Sequence, residues 1–436
     1  MKLNCFLFLM LLNLAVQGQP YYFPPNNNDD WATTDPASIG WCQPAIDDLY
    51  QFLDDTNSKA FIVLKDGKIV IEKYFDDFNK DSDWYWASAG KTLTAIAVGI
   101  AEQEGFLQLS DKSSLYLGEG WTSIPKDKED LINIRHQLTM TTGLKDNVPD
   151  HSCTLASCLQ YEADAGTRWA YHNAPYTLLD QVINSATGVT LNQYFANKVK
   201  NKIGMKGVFG KIEYNNVYLS NARSMARYGL LILNKGIWEQ TEIVNSEYFN
   251  AMVNTSQDLN KSYGYLWWLN GKESYMVPTL QTVFDGYINP NAPADMFAAM
   301  GKNGQLINVV PSMDLVMIRM GDSPGQSLEV GVSYNDQIWE NFNKIFCTIT
   351  ASQLPENIEV EPMIYPSPAN RIVNIKLEDH IYDLMLRDFA GKRVLQKKGC
   401  TGQTTLTTNH LRAGVYFLQI QATSGEEFTQ KLVIER

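Results

Sequence analysis

The chain has 436 residues, 44% of them hydrophobic, enough for two or three domains with real cores. Its formal net charge is −12. Residues 361–436 hold ten Lys/Arg against eight Asp/Glu, a balance of +2, which leaves −14 on the remainder. So acidic a region repels nucleic acid and anionic surfaces over long range, which excludes nucleic acid as a partner.

In chain order, Lys2 followed by the apolar run Leu3–Leu12 and by Val16 and Gly18 reads as a signal peptide, residues 1–18. The run is far too short to span a bilayer, no later segment spans one, and no transmembrane anchor is expected after its removal. Export permits disulfides among Cys42, Cys153, Cys158, Cys347 and Cys400. Residues 19–39, rich in Pro, Asn and Asp, read as a leader. Pro44–Asp54 reads as a helix, and Phe61–Leu64 and Ile69–Tyr74 as a hairpin around Lys65-Asp66-Gly67-Lys68. The run Lys91–Ala101 is apolar or small on every face, as in a helix buried mid-domain. Residues 102–250 alternate loops and amphipathic helices, Leu178–Thr187 among them. Strand signals return at Phe297–Met300, Leu306–Val310 and Leu315–Met320, and Asn335–Phe346 reads as a closing helix. Strands at both ends of residues 40–348 enclosing a helical middle predict an α+β domain: one antiparallel sheet flanked by helices, an inserted helical subdomain, and a cleft between them. Residues 349–362, with Pro355 and Pro362, read as a linker. The runs Ile372–Leu377, Tyr382–Arg387, Arg393–Gln396, Val415–Gln421 and Phe428–Ile434 then predict a small all-β sandwich over 363–436.

Three short motifs carry the chemistry: Ser88-Ala89-Gly90-Lys91, Tyr171-His172-Asn173 and Lys302-Asn303-Gly304. Ser88 opens the buried helix, whose free N–H groups and dipole favour negative charge, and Lys91 stands one turn away on the same face. Serine must lose its proton to a base as it attacks a carbonyl. An unprotonated lysine can serve if its pKa falls from about 10.4 to about 7, about 4 kcal/mol of environmental bias. Burial and a second cation, Lys302, both push that way. Tyr171 could relay the proton to the leaving group and Asn173 could bond the substrate's amide or ester flank. Gly304 would let a substrate approach the backbone closely. The backbone amides of Ser88 and Gln305 are the candidate oxyanion donors. A second S-x-x-K, Ser123-Ile124-Pro125-Lys126, lies in a proline-bearing stretch that holds no such helix. Gly321-Asp322-Ser323-Pro324-Gly325 fits the nucleophile-elbow pattern, but Pro324 lacks the N–H an elbow needs. No histidine or cysteine spacing suits a metal, so metal: none, and no cofactor is expected. The aromatics Trp84, Tyr85, Trp86, Trp169, Trp267 and Trp268 could line an apolar cleft or fill the core.

In this order the motifs resemble those of serine hydrolases related to class C β-lactamases and penicillin-binding D,D-peptidases. So do Arg135–Leu144 (RHQLTMTTGL), Tyr263–Trp268 (YGYLWW) and Gly301–Gln305. The resemblance implies the β-lactamase/transpeptidase-like fold, Ser88 as acylated nucleophile, Lys91 and Tyr171 as proton-transfer pair, and Asn173, Lys302, Asn303 and Gly304 as substrate contacts. Ala165 stands where many relatives have proline, and Asn303 replaces their threonine, serine or glycine. The first and last helices of that fold pack antiparallel, which implies a Cys42–Cys347 disulfide, with Cys153–Cys158 closing a short loop and Cys400 free. Ile364–Asn370, Asp388–Lys392 and Ala413–Phe417 resemble the type A sorting domains of type IX secretion cargo. That implies the type IX machinery as a partner and passage through the periplasm to the cell surface or the medium; a carbohydrate- or protein-binding module is the rival reading. The predicted function is a secreted serine hydrolase of an ester, amide or peptide, its substrate a small molecule or peptide. The alternative is a β-lactam- or peptidoglycan-binding protein, acylated without efficient turnover.

Overall fold

A computed structural model describes residues 21–325, 330–346, 363–365, 368–388, 391–422 and 427–435, in two compact units that divide after residue 347. In the first unit the strands that frame the site are β1 (Ser58–Lys65), β2 (Lys68–Tyr74), β3 (Trp84–Tyr85), β4 (Val208–Ile212), β5 (Asn215–Ser220), β6 (Trp268–Leu269), β7 (Phe297–Gly301), β8 (Gln305–Val310) and β9 (Leu315–Gly321). Six form one antiparallel sheet in the order β2-β1-β9-β8-β7-β6, so the N-terminal hairpin joins the C-terminal strands at its centre. Every residue of β8 and β9 is buried. Helices cover both faces, which is why these strands read as continuous apolar runs rather than alternating ones.

Strand alternation sorts the two faces. Val316 and Ile307 meet Gly229 of helix Ala222–Leu233, where a Cβ would stand 2.4 Å from Val316 Cγ1. On the other face Asn308 exchanges hydrogen bonds with Asn335 of helix Val332–Phe342, and the neighbouring Tyr334 lies against Arg319 and Phe52 of helix Gln43–Asp55. The helix Lys91–Gln103 is buried at all eleven positions from Lys91 to Ala101, as its composition predicts. Each aliphatic side chain buried there contributes about 1.5–3 kcal/mol of transfer free energy.

The leader is not loose from residue 21 onward. Phe23 and Trp31 are buried, Thr33 pairs with Ile69, and the Arg227 guanidinium donates to the carbonyls of Pro24, Pro25 and Asn28. These aromatic anchors and carbonyl contacts stitch the leader segment to the first unit. Residues 1–20 and the linker 349–362, including the expected signal peptide, lie outside the described residues.

The second unit is all-β. Its strands Met363–Tyr365, Ile372–Asp388, Arg393–Thr407, Gly414–Ala422 and Glu427–Ile434 form a single antiparallel sheet that curls on itself. Two expected strands, Ile372–Leu377 and Tyr382–Arg387, are one long strand whose register shifts between Leu377 and Ile381, so the expected two-layer sandwich is a single curled sheet. Its core is built from Val373, Ile375, Leu384, Leu386, Leu418 and Ile420.

Cys153 and Cys158 form the short-loop disulfide and Cys400 is a buried free thiol. Cys42 is disulfide-bonded, and its N–H donates to Ile345 O at 2.9 Å, while Trp41 pairs with Phe346. Its expected partner, Cys347, lies outside the described residues. No helix among the described residues is long and apolar enough to cross a membrane.

Candidate active site

Ser88 sits in a single 3₁₀ turn, Ala87–Gly90, between β3 and the buried helix that begins at Lys91. Ala87 just before it has φ +46°, a conformation uncommon for a residue with a Cβ. The Lys91 Nζ donates to Ser88 Oγ at 2.8 Å, and Lys91 is only 4% exposed. Two phenol rings flank the ammonium: the centroids of Tyr176 and Tyr171 lie 4.3 and 5.0 Å from Nζ. A cation over aromatic faces is stabilised electrostatically.

Tyr171 ends an extended segment held by backbone hydrogen bonds to the Arg135–Leu144 motif, Gly166 N to Thr141 O at 2.8 Å and Ala170 N to Met140 O at 2.9 Å. Behind it stands an aromatic wall in which the Trp268 ring stacks on Tyr171 at 5.7 Å and Tyr263 meets both edge-on. The motifs RHQLTMTTGL and YGYLWW are thus the support of Tyr171. Asn173 begins the short helix Asn173–Thr177, and its Oδ1 is buried without a hydrogen-bond partner, an acceptor available to a substrate N–H.

Ser88, Lys91, Tyr171, Asn173 and Lys302 line one cavity of about 350 Å³, together with Tyr85, Tyr176, His151 and the hairpin β4–β5. No carboxylate is among the described residues that line it. Five residues named from sequence therefore converge, although 214 positions separate Ser88 from Lys302.

The rest of the third motif acts from behind the cavity wall. Lys302-Asn303-Gly304 is the turn between β7 and β8, with Asn303 at φ +62° and Gly304 at φ +70°. Asparagine tolerates that left-handed region better than a β-branched threonine, which fits its presence here. Its Nδ2 donates to Tyr85 Oη at 2.7 Å, bracing the strand before Ser88, and Asn303 does not line the cavity. Gly304 also lies off the cavity: a Cβ there would stand 2.7 Å from the Tyr334 ring and 3.1 Å from the Arg319 guanidinium. Gly301 is where the strand packs closely on the nucleophile turn: a Cβ there would lie 3.0 Å from Ser88 N and 2.7 Å from Trp86 O. Gln305 is fully buried opposite Gly301, and its side chain clamps Gly321 through Nε2 to O at 2.6 Å and through N–H to Oε1 at 3.1 Å.

Sequence reasoning missed Arg319, the one charge in the run Leu315–Met320. It is fully buried on β9 and donates to Asn303 O (2.5 Å), Gly304 O (3.2 Å), Thr56 O (2.8 Å), Asp322 O (3.1 Å) and Ser58 Oγ (3.0 Å). Burial lowers its pKa from the ordinary arginine value. A lone charge inside a strand otherwise apolar on both faces was the available signal. Of the aromatics, Tyr85 lines the cavity, Trp84 is half-buried beneath Lys59, and Trp86, Trp169, Trp267 and Trp268 are core. The rejected serines stay apart: Ser123 Oγ donates to Leu159 O and Lys126 pairs with Glu119 and Asp130, while Ser323 O accepts from Asn57.

An antiparallel sheet clad on both faces, with a serine–lysine pair at the head of a buried helix, defines the β-lactamase/transpeptidase class of folds. Residues 46–329 match the Beta-lactamase family, more than half of the chain, and the protein belongs to that family. Residues 363–435 match the secretion system C-terminal sorting domain, so the second unit is a type IX sorting domain and the protein is built for export by that route. An uncharacterized protein of Alkalihalophilus pseudofirmus is 24% identical over 313 residues, covering 63% of this chain and 86% of that one. A family VIII carboxylesterase superposes with TM-score 0.53 at 16% identity over 69% of this chain and 98% of its own. A penicillin-binding protein homolog from Caulobacter crescentus gives TM-score 0.53 at 12% identity, with 70% and 98% covered.

Proposed function

We propose that the protein is a secreted serine hydrolase that cleaves an ester or amide through an acyl-enzyme on Ser88. The observation that carries this reading is the 2.8 Å contact of the buried Lys91 Nζ with Ser88 Oγ inside a cavity that Tyr171, Asn173 and Lys302 share. In this reading Lys91 and Tyr171 take the Ser88 proton as Oγ attacks the carbonyl carbon, and the same pair delivers it to the leaving group. The Asn173 amide bonds the substrate flank, and Lys302 places positive charge near the developing oxyanion or a substrate carboxylate. The backbone amides of Ser88 and Gln305 are the proposed oxyanion donors. An ester is the substrate class put first, since the superposed family VIII protein is named a carboxylesterase. The enzyme acts at the cell surface or in the medium, after the periplasm and removal of the sorting domain.

Fluorophosphonate labelling followed by peptide mapping tests the assignment. The expected result is label on Ser88, lost in Ser88→Ala and strongly slowed in Lys91→Ala. Label on Ser123 or Ser323 overturns it. Turnover of p-nitrophenyl esters, nitrocefin and D-amino-acid peptides separates a hydrolase from a protein that is acylated and stays so.

A further inference from the structure

Tyr176 has no place in the proton path from Ser88, yet its ring stands closer to the Lys91 nitrogen than that of Tyr171, with centroids at 4.3 and 5.0 Å. It belongs to the short helix Asn173–Thr177, is 3% exposed, and lines the cavity beside Ser88 and Lys91. The ring is fixed at its far end. Its hydroxyl donates to Asn216 O of β5 at 3.2 Å, and the Asn216 side chain donates in turn to Asp180 Oδ2 at 2.8 Å, on the helix Leu179–Thr187. Burial raises the phenol well above the ordinary tyrosine value, so the hydroxyl keeps its proton and stays a donor to Asn216. What Tyr176 offers Lys91 is therefore the face of its ring.

We infer that Tyr176 is a positioning residue of the Ser88 reaction, its ring face receiving the positive charge that Lys91 acquires when it takes the serine proton. The inference rests on the reading of Ser88 and Lys91 given above. As Oγ bonds to the substrate carbonyl carbon, the Ser88 proton passes to Lys91 Nζ, and a neutral amine becomes an ammonium at a residue only 4% exposed. Creating a charge out of water is costly unless a partner answers it. The negative face of an aromatic ring within about 6 Å is such a partner, and a stronger one in a desolvated site than on a surface. The attraction is weak for the amine and strong for the ammonium, so it lowers the barrier to the transfer. When the proton moves on to the leaving group the charge on Nζ disappears. Tyr176 gains and loses no proton at any stage.

The other titratable groups among the described cavity residues are Lys302, His151, Tyr85 and Tyr171. Tyr263 stands behind Tyr171, and Tyr171 and Asp180 act on Tyr176 electrostatically. All of these are common to the variants compared below, so a difference between the variants belongs to the ring at position 176.

The test is the pH–rate profile of fluorophosphonate labelling at Ser88 in the full chain, for wild type, Tyr176→Phe and Tyr176→Leu. Phenylalanine keeps the face, so labelling should stay within about threefold and the acidic limb should not move. Leucine removes the face. A ring that favours the ammonium makes the free amine available only at higher pH, so without it the acidic limb should move down by about one pH unit while the plateau rate falls about tenfold, the worth of a cation–π contact in a desolvated site. Should circular dichroism show Tyr176→Leu unfolded, phenylalanine carrying successive ring fluorines at this position keeps the shape while draining the face of electron density, and rate and limb should then fall in steps. Equal losses in Tyr176→Phe and Tyr176→Leu, or a lower rate with an unmoved limb, are what packing alone would give, and either overturns the inference, as does unchanged labelling without the ring. Wild-type protein that takes no label on Ser88 refutes the Ser88 reading instead, so the two failures are distinguishable.

Discussion

Arg319→Lys is the most informative single perturbation of the scaffold. The guanidinium serves five buried or half-buried acceptors, two of them carbonyls of the Lys302 turn, and no carboxylate is among them. An ammonium has three donors radiating from one point, so at least two acceptors lose their partner. Each buried acceptor left unmet costs about 1–3 kcal/mol, which puts the loss for two at about 2–6 kcal/mol in a unit whose total stability is of order 5–15 kcal/mol. Urea unfolding should show the midpoint falling with an unchanged slope. The loosened turn also moves Lys302, and misplacement by about 1 Å costs on the order of 100-fold in rate, so fluorophosphonate labelling of Ser88 should slow at temperatures where the variant is still folded. Added guanidinium at millimolar concentration should recover labelling in Arg319→Ala. A stability loss under about 1 kcal/mol with unchanged labelling would refute the claim that Arg319 holds the third motif.

Gly301→Ala places a methyl 2.7 Å from Trp86 O and 2.9 Å from Ala89 N, closer than real Cβ contacts allow, so labelling of Ser88 should fall about tenfold or more while circular dichroism stays native; normal labelling would show that the turn has slack. Tyr171→Phe should lower kcat far more than it changes KM, because a proton relay acts in the transition state, and equal effects on both would reduce Tyr171 to packing against Trp268. His172 has a folded-state pKa near 4 against about 6.5 unfolded, so the unfolded chain binds the extra proton between those values and stability is lost as pH falls from 6.5 to 4, by up to about 3 kcal/mol. In His172→Asn that part of the acid sensitivity should vanish from urea midpoints measured at pH 7.5, 6, 5 and 4.5. Non-reducing peptide mapping should recover a Cys42–Cys347 peptide pair, and alkylation of both thiols in unfolded, unreduced protein would exclude it.

The nucleophile was legible because two local signals coincided: an S-x-x-K spacing, and a following run with no polar face. The partners Tyr171 and Lys302 were weaker, since Y-x-N recurs at Tyr214, Tyr248 and Tyr287, and only the order of motifs raised them. What escaped is what pairing over distance decides. Nothing local tells that Gly301, rather than Gly304, must be bare for the strand to approach Ser88 N, or that Asn303 reaches back to Tyr85. Residue preferences gave the curled C-terminal unit its strands but not the fusion of two of them, because a register shift inside one strand reads as a turn between two. The Pro- and Asn-rich start read only as a leader, because its polar composition hides Phe23 and Trp31 and because Arg227 lies some two hundred residues away.

That docked start has a kinetic consequence. Tyr21 Oη donates to Asp314, 293 positions downstream, and β1 finds its central neighbour only in β9. A ribosome must therefore deliver about 320 residues before the middle of the sheet can close. Until then the first hairpin has an open edge, and closing such distant pairs is entropically slow. Export in an extended state would meet little resistance from this unit during synthesis. Its topology postpones the native state until the chain has largely been made, so the order of synthesis and the order of folding are nearly separate events.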